Sequence, residues 1–205
     1  MQIDKFYRPF QRYFRSPRMK QFIREFKVSP NTTVLDIGGT LFNWTLSPIR
    51  PILTIVNLDA EVSPTVVCDA RYLPFKDASF DIVYSNSVIE HVGGWESQRA
   101  FAAECRRVGK RYYVQTPNKW FPIEPHWIAP FIHWLPLRAR YLLARNFTVR
   151  GLVARPSQDW CRDFLDRTRL LTVPEMRQLF PDGEIWRERL AGLTKSIIVV
   201  KRREQ

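Results

Sequence analysis

The sequence predicts a doubly wound α/β protein with a mostly parallel sheet, and two observations carry this prediction. From Thr32 onward, short apolar runs bounded by turn residues alternate with helical stretches, which is the pattern of parallel strands joined by crossover helices. Two glycines, Gly38 and Gly39, directly follow the first apolar run, although the whole chain has only eight. Glycines at this place let the backbone turn close to a ligand.

Seven strands are expected, and the last two could pair with each other in antiparallel fashion. They are predicted over residues 33–37, 52–58, 65–68, 80–85, 111–115, 184–190 and 196–201. Apolar side chains at helical spacing predict helices over residues 95–108 and 173–179, and Thr172 is the expected N-cap of the second. The length fits one domain over residues 1–205.

Two segments depart from this alternation. Residues 1–30 form two basic amphipathic stretches with aromatic side chains at helical spacing, such as Phe6 with Phe10 and Phe22 with Phe26. Their apolar faces could cover the core domain or contact an anionic membrane. Residues 117–151, after the fifth strand, are crowded with proline and aromatic residues. An insertion of this length is typical of a lid or an acceptor-binding loop.

The composition restricts the partners and the location. A net charge of +12 predicts attraction to anionic partners such as nucleic acid or acidic lipid, and residues 1–30 contribute +6 of it. Since no apolar run is long enough to cross a membrane and the start lacks a signal-peptide core, we expect a cytoplasmic protein. Peripheral contact with the inner face of the membrane stays open as an alternative. The oligomeric state cannot be inferred.

The cysteines give no sign of a metal site. Cys68, Cys105 and Cys161 lie far apart and form no CxxC pair. This spacing argues against both a disulfide framework and a zinc site, so we expect free thiols and no metal.

Acidic side chains follow three of the predicted strands. Asp36, Asp59 and Asp69 come at or just after strands 1, 2 and 3, where the ligands of doubly wound sheets bind. Three carboxylates at one edge would repel a pyrophosphate and suit a cation. A ligand with ribose hydroxyls, an adenine amino group, a sulfonium and an ammonium matches all three, and S-adenosyl-L-methionine is such a ligand.

The motifs that contain these residues resemble a known family. VLDIGGT, the acid of NLDA, the block VVCDARYLPFKDASFDIVYSNSVIEHV and ECRRVGKRYYVQTPN are similar to successive motifs of the class I S-adenosylmethionine-dependent methyltransferases, specifically the methyltransferase type 11 group. The similarity runs from Val34 to Asn118, and it implies a seventh strand inserted antiparallel. It also implies an enzyme with S-adenosyl-L-methionine as its cofactor.

The resemblance assigns roles to individual residues. It implies that Asp36, Gly38 and Gly39 face the methionine part of the cofactor and that Asp59 holds the ribose. It places adenine against Asp69 and the Ala70 amide, and Ser85 under the methionine. The chain departs from the family at Thr40 and Phe42, which stand where a second and a third glycine are usual, and Pro48 and Pro51 shorten the next helix.

Two histidines are the candidates for a catalytic base. His91 follows strand 4, where the methyl group should emerge, and His126 lies in the insertion. A structural role in packing is the alternative for both. The function we expect is methyl transfer to a small-molecule or lipid-linked acceptor that contacts the aromatic insertion.

Two other functions stay open. The positive charge favours a nucleic-acid methyltransferase, but SNSV at the end of strand 4 does not match the motif of amino-methylating enzymes. The altered glycine loop would suit a non-catalytic protein that binds S-adenosylmethionine.

Overall fold

The computed structural model describes residues 15–202 and contains the predicted doubly wound sheet. Seven strands lie in the order β3-β2-β1-β4-β5-β9-β8. Their bounds are β1 Thr33–Ile37, β2 Ile52–Asn57, β3 Val66–Val67, β4 Phe80–Asn86, β5 Gly109–Pro117, β8 Glu184–Leu190 and β9 Leu193–Lys201. The first five pair in parallel, and β9 lies antiparallel between β5 and β8. The predicted antiparallel strand at the end of the chain is therefore confirmed.

Helices cover both faces of the sheet, so its central strands are buried on both sides. Their bounds are α1 at residues 15–26, α2 Leu41–Trp44, α3 Trp95–Val108, α4 Leu137–Ala144, α5 Val149–Ala154, α6 Gln158–Arg167 and α7 Val173–Leu179. One apolar cluster joins α3 and α7 to the sheet through residues such as Phe101, Cys105 and Met176. Thr172 and Glu175 form a capping box that fixes the start of α7, as the sequence predicted for the N-cap.

Helix α1 packs on the other face of the sheet. Met19, Phe22, Ile23 and Phe26 are all buried, and the Phe22 ring centroid lies 4.8 Å from that of Tyr84 on β4. For this stretch the packing interpretation is confirmed. The first predicted amphipathic stretch, from Phe6 to Phe14, lies outside the described residues.

A buried arginine ties α1 to three strands. Arg18 is 7% exposed, and its guanidinium donates hydrogen bonds to Asn86 on β4, Gln115 on β5 and Glu188 on β8, the last at 2.7 Å. Because a buried charge must be paired and hydrogen-bonded, the position of α1 depends on these three acceptors.

The insertion after β5 is built from short elements and has an apolar cluster of its own. A hairpin of β6 Ile123–Glu124 and β7 Ala129–Pro130 precedes a 3₁₀ turn and α4. Trp127 and Ile132 pack with Cys161 and Leu165 of α6. The packed unit therefore continues beyond residue 151, and α6 is a helix that the sequence analysis missed. None of the helices between residues 15 and 202 is long and apolar enough to cross a membrane.

We predict that Arg18→Ala destabilises the fold, because it removes a donor from Glu188, Asn86 and Gln115. The expected loss in the free energy of unfolding is about 3 kcal/mol, measured by urea denaturation. Arg24→Ala is the control, since the Arg24 side chain is on the same helix and 74% exposed, and its expected effect is within about 0.5 kcal/mol. Equal losses in the two variants would contradict a structural role for Arg18.

Candidate active site

The carboxyl ends of β1, β2 and β4 open onto a cavity of about 560 Å³. Its volume is in the range of small-molecule and cofactor sites. Among its lining residues are Gly38, Asn57, Leu58, Asp69, Ala70, Ser87 and His91. The cavity thus lies where ligands of doubly wound sheets bind.

The two glycines of the first loop have different tasks. Gly38 has φ +69°, and a β-carbon there would lie 2.6 Å from a methyl group of Val88. Gly39 is buried, and a β-carbon there would lie 1.9 Å from the carboxylate of Asp36. Gly38 therefore allows the turn at the cavity wall, whereas Gly39 makes room for a carboxylate beneath the loop.

Asp36 is turned away from the cavity. It is fully buried, its Oδ2 accepts a 2.8 Å hydrogen bond from the Trp44 indole of α2, and its Oδ1 has no partner. Burial raises the pKa of this carboxyl to about 7, although the Trp44 hydrogen bond and the nearby Arg15 oppose the shift. Asp36 therefore links the glycine loop to α2.

The other predicted cofactor residues are spread over the edge of the sheet. Asp69 and Ala70 line the cavity, but Asp69 is held by Arg71, whose guanidinium donates to both carboxylate oxygens. This hydrogen bonding lowers the pKa of Asp69. Asp59 is exposed beyond the end of β2, and its carboxylate caps a 3₁₀ turn by accepting from the Glu61 amide. Ser85 is fully buried, and its hydroxyl has no partner.

The residues at this cavity fit a cofactor of the expected kind. The left-handed turn at Gly38 exposes backbone at the cavity wall, where a side chain would otherwise occupy the space. Residues at the ends of β1, β2 and β3 line the same cavity, among them the acidic Asp69. Thr40 and Phe42, in place of the second and third glycines, do not line the cavity.

The structure brings the two predicted catalytic histidines into contact. His91 is in a 3₁₀ turn after β4, and His126 is in the turn between β6 and β7. Their Nε2 atoms are 3.0 Å apart. His126 Nδ1 lies 2.6 Å from Glu124 Oε1, and His91 Nδ1 lies 3.2 Å from the Thr168 hydroxyl.

A third residue of this cluster, Glu90, was missed by the sequence analysis. It is fully buried, its Oε2 accepts from the Thr116 hydroxyl at 3.0 Å, and its Oε1 has no partner. Burial raises the pKa of Glu90 to about 7. Burial and the nearby His126 lower the pKa of His91, whereas the Glu124 carboxylate outweighs burial and raises the pKa of His126. An acidic residue directly before a candidate histidine was the available signal.

A second cavity, of about 340 Å³, lies against the insertion. It shares Gly93 with the first cavity, and His91 lines the first while Glu124, the partner of His126, lines the second. Its lining combines apolar side chains (Trp127, Ile132, Leu137 and Leu165) with three basic ones (Lys119, Arg140 and Arg169) and two acidic ones (Glu124 and Asp166). The histidine cluster therefore lies between the two cavities.

Comparisons with known proteins agree with this geometry. A family described as "Methyltransferase domain" matches residues 47–112, about a third of the chain, starting after the altered glycine loop. Magnesium protoporphyrin IX methyltransferase from Synechocystis PCC 6803, solved with bound SAH, has a TM-score of 0.57 at 12% identity, over 97% of this chain and 85% of that one. The chain has the fold of the class I S-adenosylmethionine-dependent methyltransferases.

Other solved structures share this fold. A SAM-dependent methyltransferase from Archaeoglobus fulgidus has a TM-score of 0.56 at 16% identity, and the match covers 96% of this chain and 100% of that one. One from Aquifex aeolicus has a TM-score of 0.50 at 11% identity, with 89% and 87% covered. A search of the curated proteins finds no significant match to this chain.

We predict a pH-dependent effect of Asp36→Asn on the stability of the protein. The pKa of Asp36 is raised from 3.8 to about 7 in the folded state, so the folded protein keeps a proton that the unfolded chain loses between these pH values. Stability falls as pH rises through this window, by about 4 kcal/mol for a shift of this size. Asparagine still accepts from Trp44 but carries no charge, so the variant avoids this loss.

Urea unfolding of both proteins at several pH values between 4 and 8 measures the effect. The free energy of unfolding of the variant minus that of the wild type should increase from pH 4 to 7 and then stay constant. Glu90 titrates in both proteins and cancels in the difference. Parallel curves for the two proteins would contradict the perturbed carboxyl.

Proposed function

We propose that this protein is an S-adenosylmethionine-dependent methyltransferase that transfers the methyl group to an amphipathic, anionic small molecule or lipid-linked acceptor, which binds in the cavity against the insertion. The observation that carries the proposal is the second cavity itself, which adjoins the cofactor cavity at Gly93 and combines apolar with basic side chains. S-adenosylmethionine supplies an electrophilic methyl group, and the electron pair of the broken C–S bond stays on sulfur.

The lining favours an acceptor with two different ends. Ile132, Leu137 and Leu165 offer apolar contacts, and Arg140 lies beside them with a guanidinium that can meet a carboxylate or phosphate. Several exposed aromatic side chains, among them Trp120, extend the apolar surface next to this cavity. An acceptor with an acidic group and an apolar body would satisfy both kinds of contact.

We further propose how the chain holds the cofactor. Gly38 would lie beside the methionine part, Asp59 would accept the ribose hydroxyls, and Asp69 with Ala70 would contact adenine. Asp36, Gly39 and Ser85 are buried behind the cavity wall, so they would act by supporting the loop from beneath. His91 and His126 would act on the acceptor, because they lie where the two cavities meet.

Two alternatives remain as outcomes of the tests. A nucleic-acid methyltransferase would bind RNA or DNA with a steep salt dependence and would methylate it. A non-catalytic protein would bind the cofactor and release no demethylated product with any acceptor.

We predict that Gly38→Ala weakens cofactor binding about tenfold or more, because the added methyl group meets Val88 and the residue must keep φ +69°. Calorimetric titration with S-adenosylmethionine and with its demethylated product measures the affinity. Gly192→Ala is the matched control, since Gly192 has φ +80°, lies in the β8–β9 hairpin and has no heavy atom near its added β-carbon.

The two variants share the backbone strain and differ in their distance from the cavity. The control should therefore lose some stability but keep wild-type affinity. A folded Gly38→Ala protein with unchanged affinity would exclude the proposed place of the methionine part. Asp59→Ala, titrated in the same way, tests the ribose contact.

We predict that Arg140→Ala raises the KM for acidic acceptors about tenfold, while kcat changes little, because Arg140 would bind the acceptor in the ground and transition states alike. An acceptor screen with labelled cofactor, starting with amphipathic carboxylates and phosphates, measures methyl transfer. Arg138→Ala is the control: Arg138 is on the same helix, is exposed and does not line the cavity. Equal effects of the two variants would indicate general charge attraction in place of a binding contact.

A further inference from the structure

The cluster at the junction of the two cavities has the composition of a metal site. Glu90 Oε1 lies 4.0 Å from His91 Nε2 and 3.9 Å from His126 Nε2, and the two Nε2 atoms are 3.0 Å apart. Within residues 15–202, no other three His, Cys, Asp or Glu side chains bring ligand atoms this close together. Two histidines and one glutamate form a ligand set found at catalytic zinc sites.

Hydrogen bonds at the far side of each ring orient both histidines. The Thr168 hydroxyl donates to the carbonyl oxygen of Phe164 at 2.7 Å, so it must accept from His91 Nδ1–H. His126 Nδ1–H donates to the Glu124 carboxylate. With both rings neutral, each carries its proton on Nδ1 and a lone pair on Nε2, and the two lone pairs face each other.

The glutamate adds a third lone pair to the same space. Thr116 satisfies Glu90 Oε2, whereas Oε1 is buried without a hydrogen-bond partner. Such an atom costs free energy unless a donor or a cation meets it. Three acceptor atoms that face one another repel, and a single cation between them would remove both the repulsion and the unsatisfied carboxylate oxygen.

We propose that Glu90 Oε1, His91 Nε2 and His126 Nε2 bind one divalent transition metal ion of the zinc class. A tetrahedral ion about 2.0–2.1 Å from its nitrogen ligands separates neighbouring ligand atoms by about 3.3–3.4 Å, which is within the range of the three observed separations. Imidazole nitrogen favours zinc and its neighbours over magnesium and calcium.

The surroundings complete the site as metal sites are usually completed. Glu124, Thr168 and Thr116 each hold one ligand side chain through its second polar atom, as outer-shell partners of metal ligands do. Three protein ligands leave a fourth position for water or substrate. Access is from the side of His91, whose side chain is 33% exposed and lines the cofactor cavity.

A catalytic use of the ion rests on the proposed function. An acceptor oxygen at the fourth position would be polarised by the ion, which lowers the pKa of a hydroxyl and so favours release of its proton to water before methyl transfer. The acceptor would then be a hydroxyl or carboxyl compound. Metal binding itself does not depend on this step and is tested separately.

The test uses the full chain, stripped with a chelator and titrated with Zn²⁺, Co²⁺, Mn²⁺ and Mg²⁺ in separate arms. We expect one Zn²⁺ per chain by elemental analysis, a Co²⁺ absorption spectrum with histidine ligands, and much weaker Mg²⁺ binding. Glu90→Gln and His126→Asn should each lose stoichiometric zinc. Glu124→Gln, which removes one of the two acceptor oxygens that serve His126 and the Trp127 amide, should weaken zinc about 10–100-fold.

His133→Gln is the matched control for metal content, because His133 is the third histidine of the sequence, is buried in the same insertion, and has its Nε2 2.9 Å from the Lys119 carbonyl oxygen. It should keep one zinc. Circular dichroism checks that each variant is folded, and if His126→Asn is not, the near-isosteric Glu90→Gln and its Co²⁺ spectrum decide.

Two results would overturn the site. Folded wild-type protein without stoichiometric zinc or cobalt would indicate that the histidines share only a proton. Unchanged zinc content in Glu90→Gln would exclude the carboxylate as a ligand. Titration with S-adenosylmethionine on the same samples separates the two proposals: metal without cofactor binding argues against the function, and cofactor without metal binding argues against the site.

Discussion

Two fully buried carboxylates, Asp36 at the end of β1 and Glu90 just after β4, set the constraint on which the active-site region depends. Each leaves one oxygen without a hydrogen-bond partner, and burial raises the pKa of both to about 7. Taking a carboxylate out of water is expensive, so the surrounding chain must offer a donor, a proton or a cation. The two carboxylates are accommodated differently. Asp36 accepts a hydrogen bond from the Trp44 indole, whereas Glu90 faces the imidazole rings of two histidines.

The contact of the two histidines with Glu90 joins the insertion to the sheet, and these two parts of the chain share little apolar contact. Trp127 and Leu165 belong to the insertion's own cluster, and the sheet has its clusters elsewhere. The insertion reaches the strand ends through polar groups: His126 meets His91, and Asn118 donates to the carbonyl oxygen of Thr194 at 2.8 Å. Polar contacts of this kind favour one arrangement of the insertion on the sheet, because each donor must meet its own acceptor. They also leave open space on both sides, which an apolar interface would fill.

The sequence predicted the sheet well because strand signals are local. Residues 33–37, 95–108, 173–179 and 184–190 have the predicted bounds, and the other strands differ by a few residues at their ends. The site was predicted less completely, since its contacts join distant positions. His91 and His126 were each suggested from their own surroundings, but nothing in a local pattern reports that residues 35 positions apart touch. The hydrogen bond from Trp44 to Asp36 was not predicted either, because no local pattern reports it.

The altered glycine loop can be understood from the charge of the proposed cofactor. A pyrophosphate needs the free N–H groups at the start of a long helix, and α2 has only four residues. S-adenosylmethionine carries no phosphate and would present a sulfonium and an ammonium to this edge, so its binding would not depend on a long helix there. Under this proposal, the feature that must be kept is the left-handed turn at Gly38. With that turn in place, positions 40 and 42 do not need to be glycine, and the buried Asp36 can support the loop from beneath.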